Sequence, residues 1–174
     1  AKQLKYEVLR KVAELSYAGT LEENIDQIPY DLIPGPQPKF RCCIYREREI
    51  IRERVSAARG ISLPGQTETA IVGVLPAACE GCPISRFTVT SNCQHCLAKK
   101  CQAACPFGAI SDKSQIFQVI RAIRSGERVY AALAPAFVGQ FGPKVTPGKL
   151  RAAMKALGFA DVFEVAIGAD LCAT

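Results

Sequence analysis

The sequence predicts an α+β fold in three parts: a helical N-terminal region over 1–60, a small cysteine-rich module over 61–112, and an incomplete α/β (βαβ) segment over 113–174. Three observations predict it. Apolar residues recur at helical spacing before residue 60. Six of the nine cysteines fall between Cys79 and Cys105. After residue 113, helical and strand patterns alternate.

The first helix is marked by Leu4, Val8, Leu9, Val12 and Leu15 on one face, with Gly19 as its stop. Thr20-Leu21-Glu22-Glu23 fits a capping box for a short second helix. Pro29, Pro34, Pro36 and Pro38 then predict an extended strap rather than a helix. A further helix is expected from Ile44 to Arg59. Ile44, Ile51, Val55 and Ala58 give it a buried side, its charged residues face outward, and Gly60 ends it.

The module opens with a short strand, Ala70 to Leu75. Gly81, Pro83, Pro106 and Gly108 mark tight turns within it. So small a unit gains only about 3–5 kcal/mol from an apolar core, so a bound metal is an expected staple.

In the third part, Ile116, Val119, Ile120 and Ile123 mark a helix that stops at Gly126. Val129 to Ala134 reads as a buried strand. Thr146 is an N-cap with Pro147 at the first helical position, and that helix uses Leu150, Met154 and Leu157 before Gly158. Val162 to Ile167 reads as a second buried strand. Strand, helix, strand implies a parallel pair with a right-handed crossover. Two strands are too few for a finished domain, so a partner, or further chain beyond Thr174, is expected to complete the sheet.

Composition narrows the function classes. No run of 18 apolar residues is present, so no membrane helix is expected. The charged stretch Ala1-Lys2-Gln3-Leu4-Lys5 lacks the apolar centre of a secretory signal, which makes a cytoplasmic setting the default. The net charge of +6 suits an acidic partner such as a small electron carrier. Basic residues alternate with acids, as in Tyr45-Arg46-Glu47-Arg48-Glu49, so specific nucleic-acid binding is not expected. One histidine rules out a multi-histidine metal site, and neither a phosphate loop nor a dinucleotide fingerprint occurs.

The cysteines carry the chemistry. They read Cys79-x2-Cys82-Pro83, then Cys93-x2-Cys96-x4-Cys101-x3-Cys105-Pro106. In a reducing compartment such spacing points to metal or cluster binding rather than disulfides. Three thiolates on a short loop can wrap a [4Fe-4S] cube, with a fourth from elsewhere. Bacterial ferredoxins use C-x2-C-x2-C-x3-C-P, whose last cysteine serves the other cluster. Here the middle gap is four residues, while Cys105-Pro106 and Phe107 to Ile110 keep the ferredoxin pattern, which predicts a ferredoxin-like iron–sulfur module. Cys93, Cys96 and Cys101 are the best three ligands, and the fourth is Cys79, Cys82 or Cys105. Cys42 and Cys43 are either small buried hydrophobes or ligands of a second cluster. Cys172 reads as a small buried hydrophobe, and His95 as an exposed loop residue or one placing its ring near the cluster. The competing reading is structural zinc held by the two Cys-x2-Cys knuckles, which leaves Cys101 and Cys105 unexplained.

These residues support a family resemblance. Cys42-Cys43-Ile44-Tyr45 with Arg46 and Glu47, Cys79 to Pro83, Cys93 to Ala98 and Cys101 to Ile110 resemble the N-terminal region of monomeric [FeFe] hydrogenases with ferredoxin-type clusters. Val129 to Phe141 and Leu157 to Asp170 resemble the opening of their catalytic domain. The resemblance implies an anaerobic oxidoreductase that interconverts protons and hydrogen. Electrons would pass between a carrier such as a ferredoxin, a [4Fe-4S] relay and a six-iron H-cluster. This chain resembles the relay. Two departures stand out. After Cys105 only Cys172 remains, and it matches none of the H-cluster motifs, so this chain alone is not expected to make hydrogen. Family members usually carry further ferredoxin motifs, whereas here Ile110 runs straight into Ser111-Asp112-Lys113-Ser114, leaving one cluster, or two, to be placed.

Overall fold

The computed structural model describes residues 2–63, 65–81, 93, 96 and 99–173. The chain forms two compact units, Ala1–Ile120 and Arg121–Thr174. The helical region and the described part of the cysteine module therefore share the first unit.

That unit begins with helix α1 (Lys2–Ala18), followed by the short helices α2 (Leu21–Asn24) and α3 (Ile28–Leu32) and the longer α4 (Ile44–Ala58). The predicted apolar face of α1 is the observed one. Val8 and Val12 are buried with Leu21, Ile28, Ile33, Ile51, Val55 and Ala58, and Leu4, Leu9 and Leu15 pack around them. Each fully buried aliphatic side chain contributes about 1.5–3 kcal/mol, so this cluster is the main store of stability in the unit.

Three expectations for this region are corrected. The capping box does not form, because Thr20 sits at φ −115°, ψ 13° and its side chain caps nothing. Its backbone is spent on closing α1, with its N–H bonded to the Leu15 carbonyl. Pro29 lies in the first turn of α3 instead of breaking structure. A missing N–H costs nothing at that position. Finally, α4 does not turn all of its charges outward: Glu47 is fully buried and Arg54 is 7% exposed.

Strands β1 (Val72–Val74) and β2 (Ile110–Asp112) pair antiparallel, Val72 with Asp112 and Val74 with Ile110. The ladder runs on through the Leu75 N–H to the Ala109 carbonyl at 2.8 Å. Below this sheet lies a second cluster of Ile50, Leu63, Leu75, Ala78 and Ala109, with Cys105 packed against it. The adjacent residues Ile50 and Ile51 of α4 thus serve two different cores. Helix α5 (Lys100–Ala104) precedes β2, and α6 (Ile116–Arg124) follows it.

In the second unit, β3 (Tyr130–Leu133) and β4 (Asp161–Glu164) pair parallel, joined through α7 (Pro147–Ala156). The expected parallel pair and the Thr146 cap are both present, with Thr146 Oγ1 accepting from the Lys149 N–H at 3.3 Å. Three points differ. Within the two strands only Ala131 and Val162 are buried, so the strands are half covered rather than buried. The second strand ends at Glu164, and Val165–Cys172 forms helix α8. The last rung pairs Leu133 with Glu164, and Pro135 follows just beyond it, where it cannot extend a ladder. Cys172 is exposed on α8 rather than buried, because nothing described in this small unit covers that helix. Among the described residues, no helix is long and apolar enough to cross a membrane.

Candidate metal centre

The antiparallel pair sets where the cysteines begin. Leu75 and Ala109 form its last backbone contact. Cys79 lies four residues after one of them and Cys105 four residues before the other. The two cysteine loops therefore leave the sheet at the same end. A 3-10 turn over Pro76–Ala78 folds the first loop, and the Cys79 N–H closes it on the Leu75 carbonyl at 3.1 Å. The second loop follows α5, with Cys105 as its C-cap residue.

Cys105 has a built environment. The Ala109 N–H donates to its Sγ at 3.3 Å. Burial pushes its thiol up, but backbone N–H groups of Ala109, Phe107, Ile110 and Gly108 outweigh this and bring it below the ordinary value of 9.0. Backbone N–H groups near the sulfur, with that of Ala109 bonded to it, favour its thiolate form, the form that ligates metal.

Helix α4 supplies polar groups to both loops. Arg46 Nε donates to the Ala77 carbonyl at 3.0 Å, and Arg46 also pairs with Glu80 at 3.0 Å. Glu53 accepts the Ala77 N–H at 3.0 Å. Arg54 donates to the Gly108 carbonyl at 2.7 Å. Just before the helix, Arg41 donates to the Phe107 carbonyl at 2.8 Å and lies over the Phe107 ring. On the other side, Asp112 gathers Lys5, Lys99 at 3.0 Å and Gln102 at 2.8 Å, tying α1 and α5 to β2. Lys99, just before α5, adopts the left-handed conformation at φ 43°, uncommon for a side chain of its kind. A cavity of about 640 Å³ opens here, lined by Lys2, Lys5, Arg54, Lys99 and Cys105 among others.

Of the expected ligands, Cys79 and Cys96 are exposed, while Cys93, Cys101 and Cys105 are half-buried. Cys82 and His95 lie outside the described residues. Cys42 and Cys43 are exposed where α4 begins. Among the described residues, no three His, Cys, Asp or Glu side chains gather closely enough to hold a metal ion. What the structure does supply is a paired exit of two cysteine loops and one sulfur that accepts a backbone N–H.

The arginines were not legible as site residues from composition. Their signal is spacing: Arg46, Ile50 and Arg54 recur every four residues on one stripe of α4. That stripe faces the cysteine loops because Ile50 anchors it in the second core.

Comparison with known proteins adds an independent line. Residues 127–174 match the family described as iron only hydrogenase large subunit, C-terminal domain. The chain is also 35% identical over 92 residues to the NADP-reducing hydrogenase subunit HndD of Solidesulfovibrio fructosivorans, a match covering 48% of this chain and 15% of that protein. The chain thus spans only a small part of the curated relative, and the similarity to hydrogenase proteins covers part of the chain. No solved structure matches it.

Proposed function

We propose that this chain binds at least one [4Fe-4S] cluster through its central cysteines and carries single electrons within an [FeFe]-hydrogenase-like oxidoreductase. Cys93, Cys96, Cys101 and Cys105 would be the ligands of the ferredoxin-like motif, with Cys79 and Cys82 as the neighbouring donors. The observation that carries the reading is the Ala109 N–H on Cys105 Sγ, in a loop that leaves the β1–β2 sheet at the same end as the Cys79 loop. Hydrogen bonds to cluster sulfurs are one of the ways a protein tunes iron–sulfur chemistry. The match of residues 127–174 to a hydrogenase family supplies the redox context.

When bound, the cluster would supply reversible one-electron storage. The chain's own residues orient the thiolate, fix the two loops at one end of a sheet and surround them with positive charge. Lys2, Lys5, Arg54 and Lys99 beside Cys105 suit an acidic redox carrier such as a ferredoxin. The exposed apolar side chains of the second unit, Phe163 on β4 and Val165, Ile167 and Leu171 on α8, support further polypeptide covering that unit.

The test is anaerobic reconstitution of the chain with iron and sulfide, followed by metal analysis and EPR of the reduced protein. The expected result is about four irons and four sulfides per cluster, with a signal that Cys96→Ser and Cys105→Ser each diminish. A colourless protein carrying stoichiometric zinc would overturn the reading.

A further inference from the structure

One stripe of α1 is basic and aromatic rather than purely apolar. Lys2, Lys5, Tyr6 and Leu9 recur at the three- and four-residue spacing that puts side chains on one side of a helix. All four line the cavity of about 640 Å³, which lies within the first unit. Lys99 and Gln102 line it at the start of α5, and Arg54 lines it from α4. Cys105 is the one described cysteine in its wall, so the thiols do not account for this space.

Four cations border the cavity, and no carboxylate lines it among the described residues. Two carboxylates act on these cations from outside the wall. Asp112 is buried and pairs with Lys5 through one oxygen and with Lys99 through the other, the latter at 3.0 Å. Glu53 supplies countercharge to Arg54. Positive charge is therefore in excess around the space. It is also held in place, since Asp112 anchors two of the ammonium groups and the Gly108 carbonyl anchors the Arg54 guanidinium at 2.7 Å. Groups already fixed lose little freedom when they meet a ligand. Small-molecule sites typically enclose about 300–1,000 Å³, and this cavity falls within that range.

We propose that the cavity binds a small phosphate ester with a flat apolar body, the phosphoryl group among Lys2, Lys5, Lys99 and Arg54 and the body against Tyr6 and Leu9. A phosphate ester carries about −1.5 to −2 charge at pH 7 on three terminal oxygens. One such group can engage several donors at once, whereas a carboxylate brings a single charge on two oxygens. Tyr6 is exposed and offers a ring for the body to pack against. The inference uses no thiol chemistry and stands apart from the cluster reading.

The experiment is calorimetric titration of the full chain with phenyl phosphate at fixed ionic strength. Inorganic phosphate, benzoate and a glutamate-rich peptide are titrated beside it. The variants are Lys2→Met, Lys5→Met and Tyr6→Ala, with Lys144→Gln, an exposed cation of the second unit, as control. Circular dichroism melting shows that each is folded. The expected result is one phenyl phosphate per chain, bound more tightly than benzoate. Lys5→Met should weaken it about tenfold, as loss of one charged hydrogen bond does. Lys2→Met should weaken it several-fold, and Lys144→Gln should leave it unchanged. Tyr6→Ala should bring phenyl phosphate down to the affinity of inorganic phosphate. The proposal is overturned by a titration that does not saturate, or by folded Lys2→Met and Lys5→Met proteins that bind like wild type. A peptide that displaces phenyl phosphate and binds more tightly makes the space a polypeptide dock, and overturns it equally. Should Lys5→Met fail to fold, Lys2→Met decides, since it leaves the Asp112 pairs intact. Each of these failures leaves the cluster reading to its own test by iron uptake.

Discussion

The carboxylate of Glu47 holds the backbone N–H of Arg41 at 2.7 Å, so the residue that grips the Phe107 carbonyl is itself gripped from the interior of α4. The same oxygen also accepts from the Lys39 N–H at 2.7 Å and from the Phe40 N–H. A fully buried side chain thereby organises the loop that enters the helix.

Replacing this carboxylate should be costly. Burial pushes the Glu47 carboxyl up, but the N–H groups of Phe40, Lys39 and Arg41 outweigh it and hold the group below its ordinary value of 4.5. Glu47→Gln should destabilise the chain by about 2 kcal/mol at pH 7, because one neutral acceptor replaces a charged one serving three donors. The sign with pH follows from a lowered folded value. The stabilisation is complete well above 4.5 and fades as pH falls through the lower folded value. Urea unfolding of wild type and Glu47→Gln should therefore differ most near neutrality and converge in acid. Equal stability at pH 7 would refute the role.

Glu53, further along the same helix, should behave in the opposite sense. Burial raises its carboxyl above 4.5, with the Ala77 N–H only partly offsetting this. Its charge is a burden at neutral pH that is relieved as pH falls through the raised folded value and is gone below 4.5. Glu53→Gln keeps an acceptor for the Ala77 N–H, so it should be as stable as wild type or more so at pH 7. Its unfolding midpoint should also vary less between pH 4.5 and 7. A marked loss of stability at pH 7 would show that the charge itself is needed.

A third expectation concerns the second unit. Gly158 has φ 103°, and a Cβ placed there would stand 2.5 Å from Ile123 Cγ2. Gly158→Ala should cost about 1–3 kcal/mol, combining backbone strain with a clash against a branched side chain. Gly139→Ala is the control, since Gly139 has φ 82° but open space around it. It should lose only the smaller backbone part. Comparable melting shifts in the two variants would mean that the Ile123 contact is soft.

The helices were readable because their apolar spacing is strong. Val8 and Val12 fall on the expected stripe of α1, and Ile51 and Val55 on that of α4. The parallel pair of β3 and β4 followed from the alternation of patterns and from the cap at Thr146. What failed had local competitors. Val165 and Ile167 favour strands as residues, but the ladder they needed stops beside Pro135. Thr20 has the right neighbours for a cap and the wrong backbone angles. At the candidate site, the cysteine spacing named the donors. It could not show that Arg41, Arg46 and Arg54 reach across to the loops, because long-range carbonyl contacts leave only a faint four-residue rhythm in the sequence.

Ile50 and Ile51, side by side on one helix, each belong to a different hydrophobic interior. The cysteine segment is therefore no portable cassette. Cut away at residue 61, it would leave behind both the isoleucine on which its floor rests and the arginines that brace its loops. Any graft into another scaffold, or any shuffling of such modules between genes, would have to move the first sixty residues as well.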